Sequence, residues 1–378
     1  MVDRPVERAI AVFTGSRAEY GLLRHLIAAI AAEPGFNLQL IVSGSHLSAS
    51  HGGTFAEIEA DGHQPAALVP LALDQSPPLS MAALSAEVLA GLAQALEALQ
   101  PERLILLGDR YEAFAAATAA HLQGIPVVHL HGGETTQGAV DDRLRHAITQ
   151  LSTWHFTGAE PYRQRVIAMG HPPEHVFNVG PMVLDGLLAA PPASRSAFEQ
   201  ATGYRFGSRN LLITYHPETL LEDRGVAGFG ALLQALEGVH CHVLFTHPNA
   251  DAGRDRLLAV LEAFVKRHPK RSWAVPSLGQ QRYLTALQLF EAMAGNSSSG
   301  VIEAPLLGMP VLNVGDRQTG RLRHGCVLDV PADLRSLERG LEQVLEAGQC
   351  STWPRQRPQP ASAPTQAIMA WLRTEGWR

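Results

Sequence analysis

The sequence predicts an α/β protein made of two doubly wound, Rossmann-like domains facing across a cleft. Three observations lead there. Short apolar runs alternate with stretches of helical spacing along most of the chain, the pattern of parallel βαβ units. Each run ends abruptly in polar residues, as strands do when a ligand crevice opens at the carboxyl edge of a sheet. The chain is also 378 residues long, beyond the ~250–300 at which a single hydrophobic core stops growing, so two cores are required.

The first strand is Ala9 to Phe13, which flows into TGSRAEYGLL. Thr14, Gly15 and Ser16 make the turn, and Leu22, Leu23, Leu26, Ile27 and Ile30 carry the helical spacing. A small-residue loop before a helix offers backbone N–H groups to an anion, and Arg17 adds a formal charge; a plain strand-to-helix turn with a solvated Arg17 is the alternative. No GxGxxG is present, so the loop lacks a dinucleotide fingerprint. Leu38 to Val42 repeats the strand and leads into SGSHLSASHGGTF, a loop long enough to move as a lid. Leu84, Val88, Leu92, Leu96 and Leu99 form a helix stripe ending at Pro101.

The chain is organised around the stretch from Leu104 to His146, LILLGDRYEAF and then GIPVVHLHGGETTQGAVDDRLRHAITQ. Leu104–Leu107 and Ile125–Leu130 read as buried parallel strands. At their ends Asp109, Arg110, His131, Glu134, Asp141 and Asp142 are placed to converge, which makes a carboxylate-rich, metal-free acid/base site. Desolvation and like-charge repulsion beside apolar strands separate the proton affinities of Asp109 and Glu134, so that one holds a proton while the other accepts one. The plainer alternative has Asp109 capping a helix and pairing with Arg110. His129, His131 and Glu134 also invite a metal, but a third ligand must come around Gly132 and Gly133, and a structural role for His129 in the sheet is preferred.

Further strands are expected at Trp154–Thr157 and Val176–Val179 around a helix from Pro161 to Met169. A small, Pro-containing stretch from Pro181 to Arg195 reads as the linker. A second alternating series then supplies four strands, in LLITYHPET, VLFTHPNAD, LFEAMAGNSSSGVIEAP and PVLNVGDRQTGR. GNSSSG opening the helix VIEAPLLG offers N–H groups and hydroxyls, Ser297 and Ser298 among them, to a diphosphate, while Glu303 accepts from ribose hydroxyls; an ordinary N-cap is the alternative. Arg317 and Arg321 are cations suited to a pyrophosphate. A helix from Leu334 to Glu346, a Pro-rich connector from Pro354 to Pro364 and a last helix at Thr365–Thr374 complete the chain. The connector is long enough to carry that helix back to the first domain. The domains are accordingly drawn at 1–185, 186–360 and, for the final helix, 361–378.

Composition restricts the partners. A 17% share of charged residues and a net charge of −6 leave no electrostatic footprint for nucleic acid. Three cysteines, Cys241, Cys326 and Cys350, are odd in number and lack metal spacing, as in a reducing, cytoplasmic setting. The N-terminus carries no signal-type core and no apolar run reaches ~18 residues. Neither export nor a membrane span is expected.

Taken in order, TGSRAEYGLL, LGDRYE, HLHGGE, DDRLRHAITQLS, HPET, HPNAD, GNSSSGVIEAP and GDRQTGR resemble the motifs of the hydrolysing UDP-N-acetylglucosamine 2-epimerases of sialic-acid and related nonulosonic-acid biosynthesis. The resemblance spans Thr14 to Arg321. It implies a GT-B-like fold with UDP held mainly by the second domain, no cofactor, and a homo-oligomer, dimer or tetramer. It further implies that Arg17, Arg110, His216, Asn249, Ser297, Ser298, Glu303 and Arg317 contact UDP or the sugar, and that Asp109, Asp141 and Asp142 match the catalytic carboxylates. Several relatives have HxEGGE where this chain has HLHGGE, so His131 stands where a catalytic Glu is found and either His131 or Glu134 is its replacement. The implied reaction eliminates UDP to a glycal and adds water, releasing N-acetylmannosamine or a related manno sugar. A substrate of the UDP-N,N'-diacetylbacillosamine type and a non-hydrolysing epimerase are the alternatives.

Overall fold

The computed structural model describes residues 7–48, 54–75, 79–135, 140–190, 193–218, 221–248, 253–349 and 363–374. The chain divides into two compact units, one comprising Met1–Glu134, Val140–Asp185 and Pro360–Arg378, the other Thr135–Ala139 and Gly186–Gln359.

In the first unit seven strands, β1 (Arg8–Thr14), β2 (Phe36–Ser43), β3 (Ala67–Val69), β4 (Arg103–Leu107), β5 (Val127–Leu130), β6 (Trp154–Thr157) and β7 (Val176–Asn178), form one parallel sheet. Their order is β3-β2-β1-β4-β5-β6-β7. Order reverses between β1 and β4, the place where a doubly wound sheet opens a crevice. Both faces are covered. On one, Ile10, Val12, Ile105 and Phe156 pack with Leu23, Ile27, Ile368 and Trp371; on the other, Ala11, Phe13, Leu104 and Leu106 pack with Val88, Leu92, Ala116 and Ile148.

The helix Tyr111–Leu122 buries six alanines, Ala113, Ala115, Ala116, Ala117, Ala119 and Ala120, whose small side chains admit the neighbouring helix Met81–Leu99 at close range. That neighbour is the one helix among the described residues long and apolar enough to cross a membrane, at a hydropathy of 1.3. It also carries Glu87 and Glu97 and turns its Val88–Leu92–Leu96 stripe to the sheet. The C-terminal helix Pro364–Thr374 belongs to this unit: Thr365 donates to Asp185, Arg373 pairs with Glu33, and Trp371 packs edge-on to Trp154 and Phe156.

In the second unit β8 (Asn210–Thr214), β9 (His242–Thr246), β10 (Ser272–Val275), β11 (Ala292–Gly295), β12 (Val311–Val314) and β13 (Val327–Val330) form a parallel sheet of order β10-β9-β8-β11-β12-β13. Six strands stand where four were expected. The two extra ones lie at the sheet's edges, where one flank lacks a neighbour and the residues are only half-buried, so they do not read as continuous apolar runs. Gly295 at the end of β11 has φ +132, and a side chain there would meet the Thr214 carbonyl at 2.1 Å. Only glycine lets β8 and β11 close up beneath the loop that follows.

Candidate functional site

In the first unit the carboxyl ends of β1, β2, β4 and β5 carry the charged residues. After β4 the chain turns through Gly108, at φ +85, and presents Asp109. Its carboxylate pairs with Arg145, which is 3% exposed and also stands 3.8 Å from Asp142 in the first turn of the helix Val140–Leu151. Asp109 therefore does not pair with its neighbour Arg110, nor does its side chain cap the next helix. Arg110 holds that N-terminal position without a side-chain cap, and its guanidinium bonds Glu112, Nε to Oε2 at 3.1 Å and Nη2 to Oε1 at 2.9 Å. The fork geometry of guanidinium and carboxylate favours this two-point contact. Asp141 shares the first turn with Asp142.

His131 ends β5 with φ +63, a left-handed conformation unusual for a residue with a Cβ. The turn brings its ring to two partners. Nε2 accepts from the Met182 N–H at 3.0 Å, and Nδ1 lies 2.7 Å from Glu134 Oε1. Because Nε2 is the acceptor, Nδ1 carries the hydrogen and donates it to Glu134. His131 and Glu134 are 9% and 5% exposed. Both ring nitrogens are thus engaged by the protein, and the imidazole orients the Glu134 carboxylate. His129 is fully buried between Gly108 O at 2.8 Å and Thr149 Oγ1 at 3.2 Å. Burial pushes its ring down to about 4, so it stays neutral and ties β4 to the helix Val140–Leu151. Among the described residues no group of three or more His, Cys, Asp and Glu is arranged to hold a metal ion.

Arg17 lies at the start of the helix Arg17–Ala32, where its Nε pairs with Glu57 at 2.8 Å and remains about a third exposed. The loop before it is held by groups that sequence reading passed over. Gly15 N–H donates to Glu19 Oε2 at 2.7 Å, and the Gly15 carbonyl accepts from Ser45 N–H at 2.9 Å. Within SGSHLSASHGGTF, Gly44–Leu47 form a tight helical turn and His46 is buried between Thr14 Oγ1 and Thr54 Oγ1, at 3.0 and 2.8 Å; residues 49–53 lie outside the described residues. Gly44 has φ +60, and a Cβ there would stand 2.3 Å from Gly15 O.

In the second unit the centre is Asn296, which is fully buried. Its side chain accepts from the His216 N–H at 2.7 Å and donates to the His216 carbonyl at 2.9 Å, while its own carbonyl receives Arg317 Nη1 at 3.2 Å and Gln318 Nε2 at 2.9 Å. One residue, through its side-chain amide and its main-chain carbonyl, thereby draws together the loops after β8, β11 and β12. Burial, with Arg317 nearby, pushes the His216 ring down to about 3. Ser297 caps the following turn by accepting from Ser299 N–H at 3.3 Å.

The helix expected over VIEAPLLG is cut down to four residues, Glu303–Leu306, behind a turn at Ser298–Gly300. Three serines and a glycine favour capped turns over helix, and Gly308 ends the second piece in the left-handed region. Ser298 is half-buried and Ser299 takes the Tyr283 hydroxyl at 2.5 Å. Arg321 lines a cavity of about 890 Å³ with Glu218, Gly228, Gly315, Arg323 and Asp329. Of the other predicted nucleotide residues that the structure describes, none lines this cavity, which reaches β13 through Asp329 and Val330. Asn249 lies outside the described residues.

Known proteins give this arrangement its context. Residues 28–362 match the model of the UDP-N-acetylglucosamine 2-epimerase family. The chain belongs to that family. It is 35% identical over 338 residues to the UDP-N,N'-diacetylbacillosamine 2-epimerase (hydrolyzing) of Legionella pneumophila, covering 89% of each chain. To the GDP/UDP-N,N'-diacetylbacillosamine 2-epimerase (hydrolyzing) of Campylobacter jejuni it is 33% identical over 339 residues, 89% of this chain and 88% of that one. Among solved structures, the fold matches UDP-GlcNAc 2-epimerase from Neisseria meningitidis bound to UDP-GlcNAc with TM-score 0.82 at 18% identity, over 97% of this chain and 100% of the other. Membership accounts for two parallel α/β units in one epimerase-family chain, and for the order of the motifs along it.

Proposed function

We propose that this protein is a hydrolysing UDP-sugar 2-epimerase in which the second unit holds UDP and the first carries the acid/base groups. The observation that carries the reading is the set of oriented carboxylates on the first sheet, Asp109 and Asp142 on Arg145 and Glu134 on His131, in a chain of this family. The C2–H of a sugar is not acidic. As UDP departs, positive character at C1 acidifies it, and a placed carboxylate removes the proton to leave an unsaturated glycal. Water then adds at C1 while a proton reaches C2 from the opposite face, so two acid/base groups on two faces are needed.

In this reading Asp109 is one of them and Glu134 the other, with His131 fixing Glu134 rather than reacting itself. Asp141 and Asp142 complete the carboxylate set. Arg17, Arg110, Arg317 and Arg321 stabilise the departing diphosphate, Ser297 and Ser298 supply hydroxyls to it, and His216, Asn249 and Glu303 face the nucleotide or sugar. The protein works in the cytoplasm as a homo-oligomer.

Identity to the hydrolyzing diacetylbacillosamine epimerases of Legionella and Campylobacter supports UDP-N,N'-diacetylbacillosamine as the sugar, ahead of UDP-N-acetylglucosamine. Incubating the purified protein with each and following UDP and free sugar by NMR tests both. Release of UDP with a manno-configured free sugar from the first substrate is expected. A UDP-linked epimer, with no free sugar, would make the enzyme non-hydrolysing; turnover of UDP-N-acetylglucosamine alone would reverse the substrate order.

A further inference from the structure

Glu19 has no task in the mechanism above, yet it is an enclosed carboxyl group beside it. Its side chain is 5% exposed. Oε2 takes the Gly15 N–H, and Oε1 is buried with no hydrogen-bond partner. A carboxylate with one oxygen lacking any donor is expensive to bury, whereas the neutral acid is far less so.

The surroundings decide which form is favoured. From the β4 side Glu19 is faced by Asp109, Arg110 and Glu112. Glu112 is 1% exposed, and a Cβ on Gly15 would stand 3.2 Å from Glu112 Cβ and 3.5 Å from Glu19 Oε2, so the two acids flank one glycine. From the β2 side comes His46, which burial holds neutral with its ring pushed down to about 4. On its own helix, Arg17 is turned to Glu57 and Tyr20 to Asp61. Arg110 is therefore the cation that Glu19 and Glu112 share, and Glu112 already holds it through two bonds.

We propose that Glu19 is a proton-gated positioning residue. As a neutral acid it locks the Gly15 loop in register and leaves Arg110 for the substrate anion, and as a carboxylate it competes with that anion for Arg110. This inference rests on the proposed role of Arg110 toward the UDP-sugar. Burial, opposed by Arg110 and reinforced by Glu112, moves the Glu19 carboxyl up to about 7, so its charge changes around neutral pH. The loop register is transmitted onward because the Gly15 carbonyl anchors Ser45.

The test compares the wild type with Glu19→Gln, whose amide oxygen still accepts from Gly15 but cannot ionise. For the wild type, kcat/KM for UDP-sugar hydrolysis should fall roughly tenfold from its plateau by pH 8, as expected one unit above a controlling group. In Glu19→Gln that descending limb should disappear, whereas a merely structural role would lower the rate equally at every pH. A limb retained in Glu19→Gln overturns the proposal. A second readout does not need turnover: the infrared difference between wild type and Glu19→Gln, both with ¹³C-labelled glutamate carboxyls, should show a protonated carboxyl band at pH 6 that disappears with a midpoint near 7. No such band in the wild type overturns the proposal as well. A wild type that hydrolyses no UDP-sugar removes the enzymatic reading and leaves the infrared result to judge Glu19.

Discussion

The carboxyl edges of the two sheets are built from opposite materials. On the first, charge is set against charge in enclosed surroundings: Arg145 between Asp109 and Asp142, Arg110 against Glu112, Glu19 beside both. On the second, an uncharged residue does the organising, with the Asn296 side chain bonded to His216 and its main-chain carbonyl accepting from Arg317 and Gln318. Neutral networks hold a shape irrespective of proton occupancy, while clustered carboxylates respond to protons. Under the proposed function, that difference would suit the second edge to holding a nucleotide and the first to moving a proton.

The sharpest way to break that comparison is to neutralise one side without changing its shape. Asp109→Asn should lower turnover by roughly 10²–10⁴-fold, the range for losing a general acid or base, while UDP affinity measured by calorimetry stays near the wild-type value. If the rate survives, proton transfer lies elsewhere. The converse change is expected to act on binding: Ser298→Ala combined with Glu303→Gln should weaken UDP by about 1–3 kcal/mol. Unchanged affinity in the titration would move the nucleotide away from this loop.

His131→Gln should cost less than Asp109→Asn if, as proposed, the ring orients Glu134 without itself reacting. About tenfold in kcat, with KM little altered, is the expected outcome for a lost orienting bond. A loss as large as that of Asp109→Asn would instead make His131 the reacting group.

The smallest effect is one of stability. His129 and His216 have ring affinities pushed down by burial, to about 4 and about 3, against about 6.5 when unfolded. Between those limits the unfolded chain binds more protons, so stability is fully present above pH 6.5 and is lost as pH falls toward 4. Glu19 acts with the opposite sign, since its raised affinity withdraws stability as pH climbs from about 4.5 to about 7. Calorimetric melting midpoints should therefore be flat near neutrality and fall below pH 6; a midpoint that rises on acidification would contradict the buried neutral histidines.

Much of this was legible in the sequence, and the omissions have physical causes. Central strands such as Leu104–Leu107 are buried on both faces and announce themselves as apolar runs. Edge strands β3, β10 and β13 are short and half-buried, and went unseen. At the site, the residue types at the strand ends were readable but their partners were not. Asp109 has a cation next to it in sequence, yet pairs with Arg145, 36 positions on, because the helix Val140–Leu151 returns over β4 and β5. The spacing of Asp142 and Arg145, one helical turn apart, was the available signal. Asn296 sits inside a motif whose serines carry the anion-binding signal, and Glu19 lies in a first helical turn, where an acidic residue gives no sequence sign of enclosure.

The measurement that bears most directly on the central claim is the fate of the proton at C2. Turnover of the UDP-sugar in deuterium oxide should release UDP and a manno-configured free sugar carrying deuterium at C2, because the abstracted proton exchanges on a carboxylate before readdition. A simple hydrolase attacks C1 and leaves C2–H untouched. Unlabelled free sugar that keeps its gluco configuration, seen by mass spectrometry and NMR, would contradict the account.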